Sequence, residues 1–313
     1  RRLRDPHSRA ADERIRDRGI GGARQMKEGD SDRQALLMQK LSESGPMVAV
    51  ELRPPRANLE GEDGMEAWID LHHSLNRLTS EELFVFLTDN AVGEAEEENL
   101  AHVAANLGDE ADLRRIVPIL TAKHSLEYCR MFASRAVAGG FDALTVLGGD
   151  RSVGPERCVP HGRDLRELIR VGLPELVLGG WANPHRDPVE QVGFIDAPNA
   201  HADFVLTQIV SHHALAQVER FLRVMDATRQ GVPTVFGVFF YRSANPSTLK
   251  QLNNFFPVPA EELSRDFQAG ITAEEICAQS IREIRRVGAD KVYVSNLGNR
   301  GAGRLLRRIL ELV

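Results

Sequence analysis

The chain has 313 residues, 42% of them apolar and 27% charged, which is the balance of a globular protein with ample material for a core. A net charge of −6 gives no electrostatic reason to expect nucleic acid or an anionic membrane as a partner. The longest apolar runs also fall short of the roughly 18 residues that a membrane span needs. A local basic pocket is not excluded, because net charge says nothing about a single site.

The three cysteines, Cys129, Cys158 and Cys277, lie far apart and have no metal-binding spacing. A sparse, odd count is typical of a reducing compartment without a disulfide framework. No signal-peptide pattern is present in the first residues. The expected location is therefore the cytoplasm.

The first segment, residues 1–30, is rich in Arg, Asp and Gly and is predicted to be a flexible charged arm. Residues 31–42 have apolar side chains at helical spacing, with Ser31 as a candidate N-cap. This pattern predicts a leading helix that ends before Gly45-Pro46.

From residue 47 onward, short apolar runs alternate with longer stretches of helical pattern. Strands are predicted at 47–52, 83–88, 115–121, 143–149, 175–181, 203–210, 233–240 and 291–297. Runs that are apolar on both faces are typical of a parallel sheet covered by helices, and eight units are the number that closes a barrel. The sequence predicts one (β/α)8 TIM barrel over 31–313, with extra helices in the long stretch 241–290 before the last strand. A doubly wound open sheet is the alternative, but its usual GxGxxG after the first strand is replaced by MVAVELRPPR.

Polar residues follow strand after strand, at the ends where barrel enzymes place their catalytic groups. They are Glu51, Thr88, Asp89, Asn90, Thr121, Asp150, Asn183, His185, Gln208, Ser295 and Asn296. Because each follows an apolar run, this distribution predicts a functional site at the barrel mouth.

Glu51 lies at the end of the first apolar run and is followed by Pro54-Pro55. Partial desolvation there raises the pKa of a carboxyl group, which suits a general acid at neutral pH. The alternative is a structural ion pair with Arg53, Arg56 or a lysine across the mouth.

Two further strand-end residues have alternative interpretations of the same kind. Asp150 follows Gly148-Gly149, where a ligand can approach the backbone closely, but it could equally close an Asx turn. The Gln208 amide can both donate and accept hydrogen bonds, for a ligand or within a buried polar network.

Two other features concern phosphate and metal. Gly298–Gly303 precede a predicted helix and, with Arg300 and Arg304, could bind phosphate or simply start the helix. The pairs His72-His73 and His212-His213 have no evident third ligand, so both are predicted to be solvated or capping residues and no metal site is expected.

Seven motifs occur in an order and spacing that resemble the methylenetetrahydrofolate reductase family over residues 31–313. They are VELRPP (50–55), TDNA (88–91), PILTA (118–122), LGGD (147–150), NPHR (183–186), LTQ (206–208) and GVFFYRS (237–243). The stretch 241–290 looks most similar to the module fused to homocysteine methyltransferases in some bacteria.

The resemblance implies a barrel that uses FAD to pass hydride from NAD(P)H to 5,10-methylenetetrahydrofolate. It implies that Glu51 is the acid that opens the folate's imidazolidine ring, that Asp150 holds the pterin and tunes the flavin, and that Gln208 contacts pterin or nicotinamide. The residues that would line the flavin site are Thr88, Asn90, Gly149, Trp181, Asn183 and His185. The choice between NADH and NADPH, and a homo-oligomer or partner subunit, stay open.

Several positions depart from the family pattern on the cofactor side. Ile119 replaces a histidine of the flavin pocket, Gly148 replaces a side chain that reaches the flavin phosphates, residues 194–202 lack the usual basic segment, and Phe240 replaces a proline. Three hypotheses follow: a reductase that holds FAD differently, a reductase that takes hydride directly from a nicotinamide, and an idle folate-binding or scaffolding barrel.

Overall fold

A computed structural model describes residues 34–56, 58–59, 61–89, 100, 103, 107, 111–152, 154–227 and 231–313. The predicted arm over 1–30 and one predicted site residue, Asn90, lie outside these residues. Gln34 to Val313 belong to one unit. None of the helices in the described ranges has the combined length and hydrophobicity needed to cross a bilayer.

Eight parallel strands form the centre of this unit. They are β1 (Met47–Leu52), β2 (Val85–Leu87), β3 (Ile116–Thr121), β4 (Ala143–Leu147), β5 (Val177–Ala182), β6 (Phe204–Val210), β7 (Thr234–Phe239) and β8 (Lys291–Ser295). Each strand pairs with the next, and β8 also pairs with β1. The predicted (β/α)8 barrel is confirmed, and the open-sheet alternative is wrong because the sheet has no edge.

Ten α-helices are found among the described residues. They are α1 (Leu36–Ser42), α2 (Gly61–Ser80), α3 (Leu126–Gly139), α4 (Gly162–Gly172), α5 (Pro188–Asp196), α6 (Leu215–Asp226), α7 (Pro246–Leu252), α8 (Ala260–Gln268), α9 (Ala273–Arg286) and α10 (Ala302–Leu310). Three of them, α7 to α9, occupy the long stretch before β8, as the sequence predicts.

The leading helix begins later than predicted, with Ala35 and not Ser31 at its N-cap. The Leu36 amide hydrogen-bonds Asp142 Oδ2 at 3.4 Å, so a carboxylate from the residue just before β4 replaces the missing cap side chain. Leu37 and Leu41 are buried in the same cluster as the barrel interior. Their packing at the N-terminal end of the barrel sets where this helix starts.

Successive strand residues alternate between two buried clusters. On β1, Val48, Val50 and Leu52 pack in the outer cluster with the helices, whereas Met47 and Ala49 belong to the inner cluster. The inner cluster includes Phe86, Ile119, Leu206 and Tyr293. Because side chains alternate along a strand, Glu51 shares the inward face of β1 with Ala49. The barrel interior is therefore a packed core with Glu51 at its C-terminal end.

Candidate functional site

Glu51 lies at the barrel mouth beside the end of β8, where Ser295 Oγ donates a hydrogen bond of 2.7 Å to its Oε1. Burial raises the pKa of Glu51 above its ordinary value of 4.5, while the Ser295 hydrogen bond and the charge of Arg53 act in the opposite direction. No described residue hydrogen-bonds Oε2. The predicted desolvation is present, and Oε2 is the oxygen that can carry a proton.

Tyr293 forms the floor below Glu51. Its hydroxyl is buried and donates a hydrogen bond of 2.6 Å to the Thr207 carbonyl. Burial, reinforced by the charge of Glu51, raises the pKa of Tyr293 well above its ordinary value. Gly237 leaves room for this ring, because a Cβ at that position would lie 2.5 Å from the tyrosine oxygen. The Tyr293 side chain below Glu51 is therefore uncharged, and a hydrogen bond holds its hydroxyl in place.

Asp150 follows β4 at the same end of the barrel. Its Oδ1 accepts hydrogen bonds from the Ser152 amide and hydroxyl, both at 2.7 Å, and these bonds are the main reason that the pKa of Asp150 is lowered. This is the Asx turn that the sequence left as an alternative. Oδ2 has no hydrogen bond from a described residue, so one oxygen of an ionised carboxylate is available to a ligand.

Gln208 lies where the β6–β7 pairing shifts register between Leu206 and Ile209. Its Oε1 accepts from the Ile209 amide at 2.9 Å, and its Nε2 donates to the Phe255 carbonyl at 3.1 Å. Both ends of the amide therefore have protein partners. A ligand contact at Gln208 requires the exchange of one of these bonds.

The end of β5 and the loop that follows it hold three predicted cofactor residues. Asn183 Oδ1 accepts from the His185 amide at 3.0 Å, and His185 Nε2 donates to the Ile209 carbonyl at 2.7 Å. Trp181 shares a strand face with Gly179 and Val177, and its side chain is 37% exposed. The two polar residues thus brace the loop, while the indole offers an accessible aromatic surface.

The other two described cofactor residues lie at the ends of β2 and β4. Thr88 donates its amide to the Leu52 carbonyl at 2.9 Å. Gly149 has φ +75°, and a Cβ there would lie 2.8 Å from the side chain of Lys123. Glycine is required at this position because its backbone conformation and close packing both exclude a side chain.

An Asp–His pair that the sequence reasoning did not assign lies between the ends of β2 and β3. Asp89 Oδ2 lies 2.8 Å from His124 Nε2 and also accepts from the Thr121 amide at 2.8 Å and its hydroxyl at 2.9 Å. The sequence identifies Asp89 only as a polar residue at a strand end. Its partner follows β3 by three residues, which is the signal that could have identified it.

Three arginines line a cleft of about 230 Å³ between the ends of β4 and β5. Arg157 packs its guanidinium group over Gly148, where a Cβ would lie 2.8 Å away, and donates to the Gly149 carbonyl. Arg163 and Arg166 come from α4. The Arg157 guanidinium group thus occupies the space that a side chain at position 148 would need.

Arg166 is 6% exposed, and its described partners are two backbone carbonyls, Ala200 at 2.7 Å and Val146 at 3.0 Å. Burial lowers the pKa of Arg166 to about 10, so the group stays charged at neutral pH. The Nε atoms of Arg157 and Arg163 are buried and have no hydrogen-bond partner among the described residues. Such a cluster of cationic donors is suited to an anionic group.

The predicted phosphate loop precedes α10, with Gly298 and Gly301 at positive φ. Arg242 packs against Gly298 and donates to the Asn296 and Leu297 carbonyls at 3.1 and 2.8 Å. Arg300 and Arg304 are exposed. These observations describe an ordinary helix entry, and phosphate binding there stays a prediction.

The fold and the polar side chains at its mouth define a (β/α)8 barrel whose candidate site lies at the end used by barrel enzymes. No protein-family model and no curated protein matches the chain.

Two solved structures match this chain in a comparison of structures. One is an uncharacterized protein from Clostridium thermocellum described as binding two copies of 5-methyl-5,6,7,8-tetrahydrofolic acid. It shares 18% identity with a TM-score of 0.64, over 89% of this chain and all of that one. The other is a putative racemase from Roseobacter denitrificans, at 15% identity and a TM-score of 0.40, over 72% of this chain and 56% of that one. At 18% identity the likeness to the C. thermocellum structure shows the fold alone.

Proposed function

We propose that this barrel binds a reduced folate at its mouth and reduces 5,10-methylenetetrahydrofolate to 5-methyltetrahydrofolate with hydride from NAD(P)H. The observation that carries the proposal is the inward-facing Glu51, whose pKa is raised by burial and whose Oε2 has no described partner. The description of the C. thermocellum barrel as a 5-methyltetrahydrofolate-binding protein supports the same ligand class.

Glu51 supplies the proton that the reaction needs. The methylene carbon of the substrate bridges two nitrogens, and protonation of one nitrogen by the Glu51 carboxyl lets that carbon–nitrogen bond break. The electron pair leaves with the protonated nitrogen, and the resulting iminium carbon accepts hydride. Ser295 orients the carboxyl group by its bond to Oε1, which leaves Oε2 directed to the substrate.

Asp150 and Gln208 recognise the pterin in this proposal. The free Oδ2 of Asp150 accepts from paired N–H groups of the heterocycle, and the carboxylate is ionised because Ser152 lowers its pKa. Gln208 reaches the pterin when its bond to the Phe255 carbonyl opens. The aspartate with a lowered pKa and the glutamate with a raised pKa thus take different roles at one mouth.

The arginine cleft holds the phosphates of the hydride donor. Residues Arg157, Arg163 and Arg166 supply the positive charge that the departures at Gly148 and 194–202 remove. Its volume of about 230 Å³ is below the 300–1,000 Å³ typical of a whole ligand, so it suits a phosphate end with the rest lying over the mouth. FAD, when bound, would relay hydride between NAD(P)H and the folate. Trp181, Asn183, His185, Thr88 and Gly149 would line its site.

Turnover of methylenetetrahydrofolate with NADH or NADPH tests the proposal. Glu51→Gln should lower kcat by at least about two orders of magnitude, because a positioned general acid contributes 10²–10⁴-fold. Glu219→Gln, an exposed residue in the middle of α6, is the matched control and should leave the rate unchanged. A loss below tenfold at Glu51 would refute its role as the acid.

The visible absorption spectrum of the purified protein distinguishes the two routes of hydride transfer. A flavin spectrum supports transfer through FAD. A colourless protein that turns over with NAD(P)H, and stays colourless with added FAD, takes hydride directly from the nicotinamide. The Ile119 side chain, buried in the inner cluster, favours this second route because it offers no polar group to a flavin. Folate binding without any turnover would leave the scaffolding alternative.

A further inference from the structure

A half-buried cluster of metal-ligating side chains lies outside the folate site. His212 and His213 form a short 3₁₀ turn directly after β6, and their rings lie 3.8 Å apart between centroids. Asp266 of α8 approaches this turn, although it is distant in sequence. One ligand atom from each residue lies within 4.8 Å of the others. The expectation that no third ligand is near this histidine pair is therefore wrong.

The spacing of two of these atoms suits a shared cation. His213 Nε2 lies 3.2 Å from Asp266 Oδ2, yet both atoms are buried without a hydrogen bond of acceptable geometry among the described residues. Nitrogen and oxygen ligands at about 2.0–2.1 Å from a tetrahedral zinc ion lie about 3.3 Å from each other. The pair thus has the separation of two ligands of one ion.

His212 is also positioned to act as a ligand of this ion. Its Nδ1 lies 2.8 Å from Ser280 Oγ on α9, which leaves Nε2 as the ligand atom. A second-shell bond to the other ring nitrogen is the usual arrangement for metal-binding histidines.

We propose that His212, His213 and Asp266 form a binding site for a divalent transition-metal ion, zinc in the first instance. Two imidazoles and one carboxylate are a ligand set that zinc accepts, and three protein ligands leave the fourth position to water or another small ligand. Asp266 belongs to α8, and the two histidines follow β6. The ion would therefore link α8, in the 241–290 stretch, to the end of a barrel strand.

Zinc binding by the full chain tests the proposal. After treatment with a chelator and its removal, calorimetric titration with Zn²⁺ should show one site. Asp266→Asn, which keeps the side-chain shape, should weaken affinity at least tenfold, and His213→Gln should do the same. His73→Gln, in the other adjacent histidine pair on α2, is the matched control and should bind like the wild type.

Cobalt substitution gives a readout that needs no variant. Co²⁺ bound by the wild-type chain should show the intense visible bands of tetrahedral coordination, and Zn²⁺ should displace it. Zinc should also raise Tm of the wild type but not of Asp266→Asn. The proposal is overturned if the wild type binds no zinc, or if Asp266→Asn binds it as tightly. In either case the approach of His213 to Asp266 is a contact between two side chains and not a metal site.

Discussion

Replacement of Glu51 by Gln should make the protein more stable at neutral pH while it removes activity. Gln is nearly isosteric, and its Oε1 can still accept from Ser295. What changes is the charge. Burial raises the pKa of Glu51 above 4.5 in the folded state, so the unfolded chain ionises more readily and wild-type stability falls as pH rises through this interval.

The size of the effect follows from the linkage between protonation and folding. Each pH unit between the unfolded and the folded pKa costs the wild type about 1.4 kcal/mol of unfolding free energy relative to Glu51→Gln. Below pH 4.5 the carboxyl is protonated in both states, so the two proteins should converge. For a domain of this size, 1 kcal/mol corresponds to about 2 °C in Tm.

Thermal and urea unfolding across the pH range measures this difference. Glu219→Gln, an exposed replacement in α6, should show no pH-dependent change relative to the wild type. If Glu51→Gln has lower stability than the wild type at neutral pH, or if the difference does not vary with pH, the carboxyl is not desolvated in the folded protein. The acid role would then lose its physical basis.

Three further predictions concern the surroundings of this carboxyl and the basic cleft. Ser295→Ala removes a hydrogen bond to a carboxylate, worth about 1.5–3 kcal/mol. The alkaline limb of the kcat/KM profile should therefore move up by about 1–2 pH units, and an unmoved limb would contradict the link to Glu51. Tyr293→Phe leaves the Thr207 carbonyl without its 2.6 Å donor and should cost about 1–3 kcal/mol in urea unfolding; an unchanged midpoint would show that this bond contributes nothing. Arg166→Met removes a buried charge whose described partners are two carbonyls. It should weaken NAD(P)H binding at least tenfold in a fluorescence titration, and it should also lower Tm because the Ala200 and Val146 carbonyls lose their donors. Unchanged affinity in the folded variant would separate the cleft from the cofactor.

The strands were predictable because each is buried on both faces and therefore appears as a continuous apolar run. Their ends depend on backbone geometry that composition does not reveal. β4, predicted to reach residue 149, ends at Leu147 because Gly149 adopts a positive φ. The start of α1 differs from the sequence prediction for a related reason, since its first amide donates to Asp142, which is far along the chain.

The sequence predicts the orientation of a site residue only where the alternation of side chains along a strand determines it. Glu51 faces inward because side chains alternate along β1, and the sequence contains that information. The partners Ser295 and Asp266 come from distant segments, so their pairing with Glu51 and with the histidines depends on barrel closure. Arg166 had no sequence signal, because an arginine in a helical pattern is usually exposed.

The most direct test of the proposed reaction is mass spectrometry of the folate product after incubation of the wild-type chain with 5,10-methylenetetrahydrofolate and deuterium-labelled NADH or NADPH. We expect 5-methyltetrahydrofolate, with deuterium in the methyl group if the nicotinamide donates directly, and product formation at least about a hundredfold slower with Glu51→Gln. Recovery of unreduced substrate with both nicotinamides, from a folded protein that binds the folate and has been supplied with FAD, would contradict it.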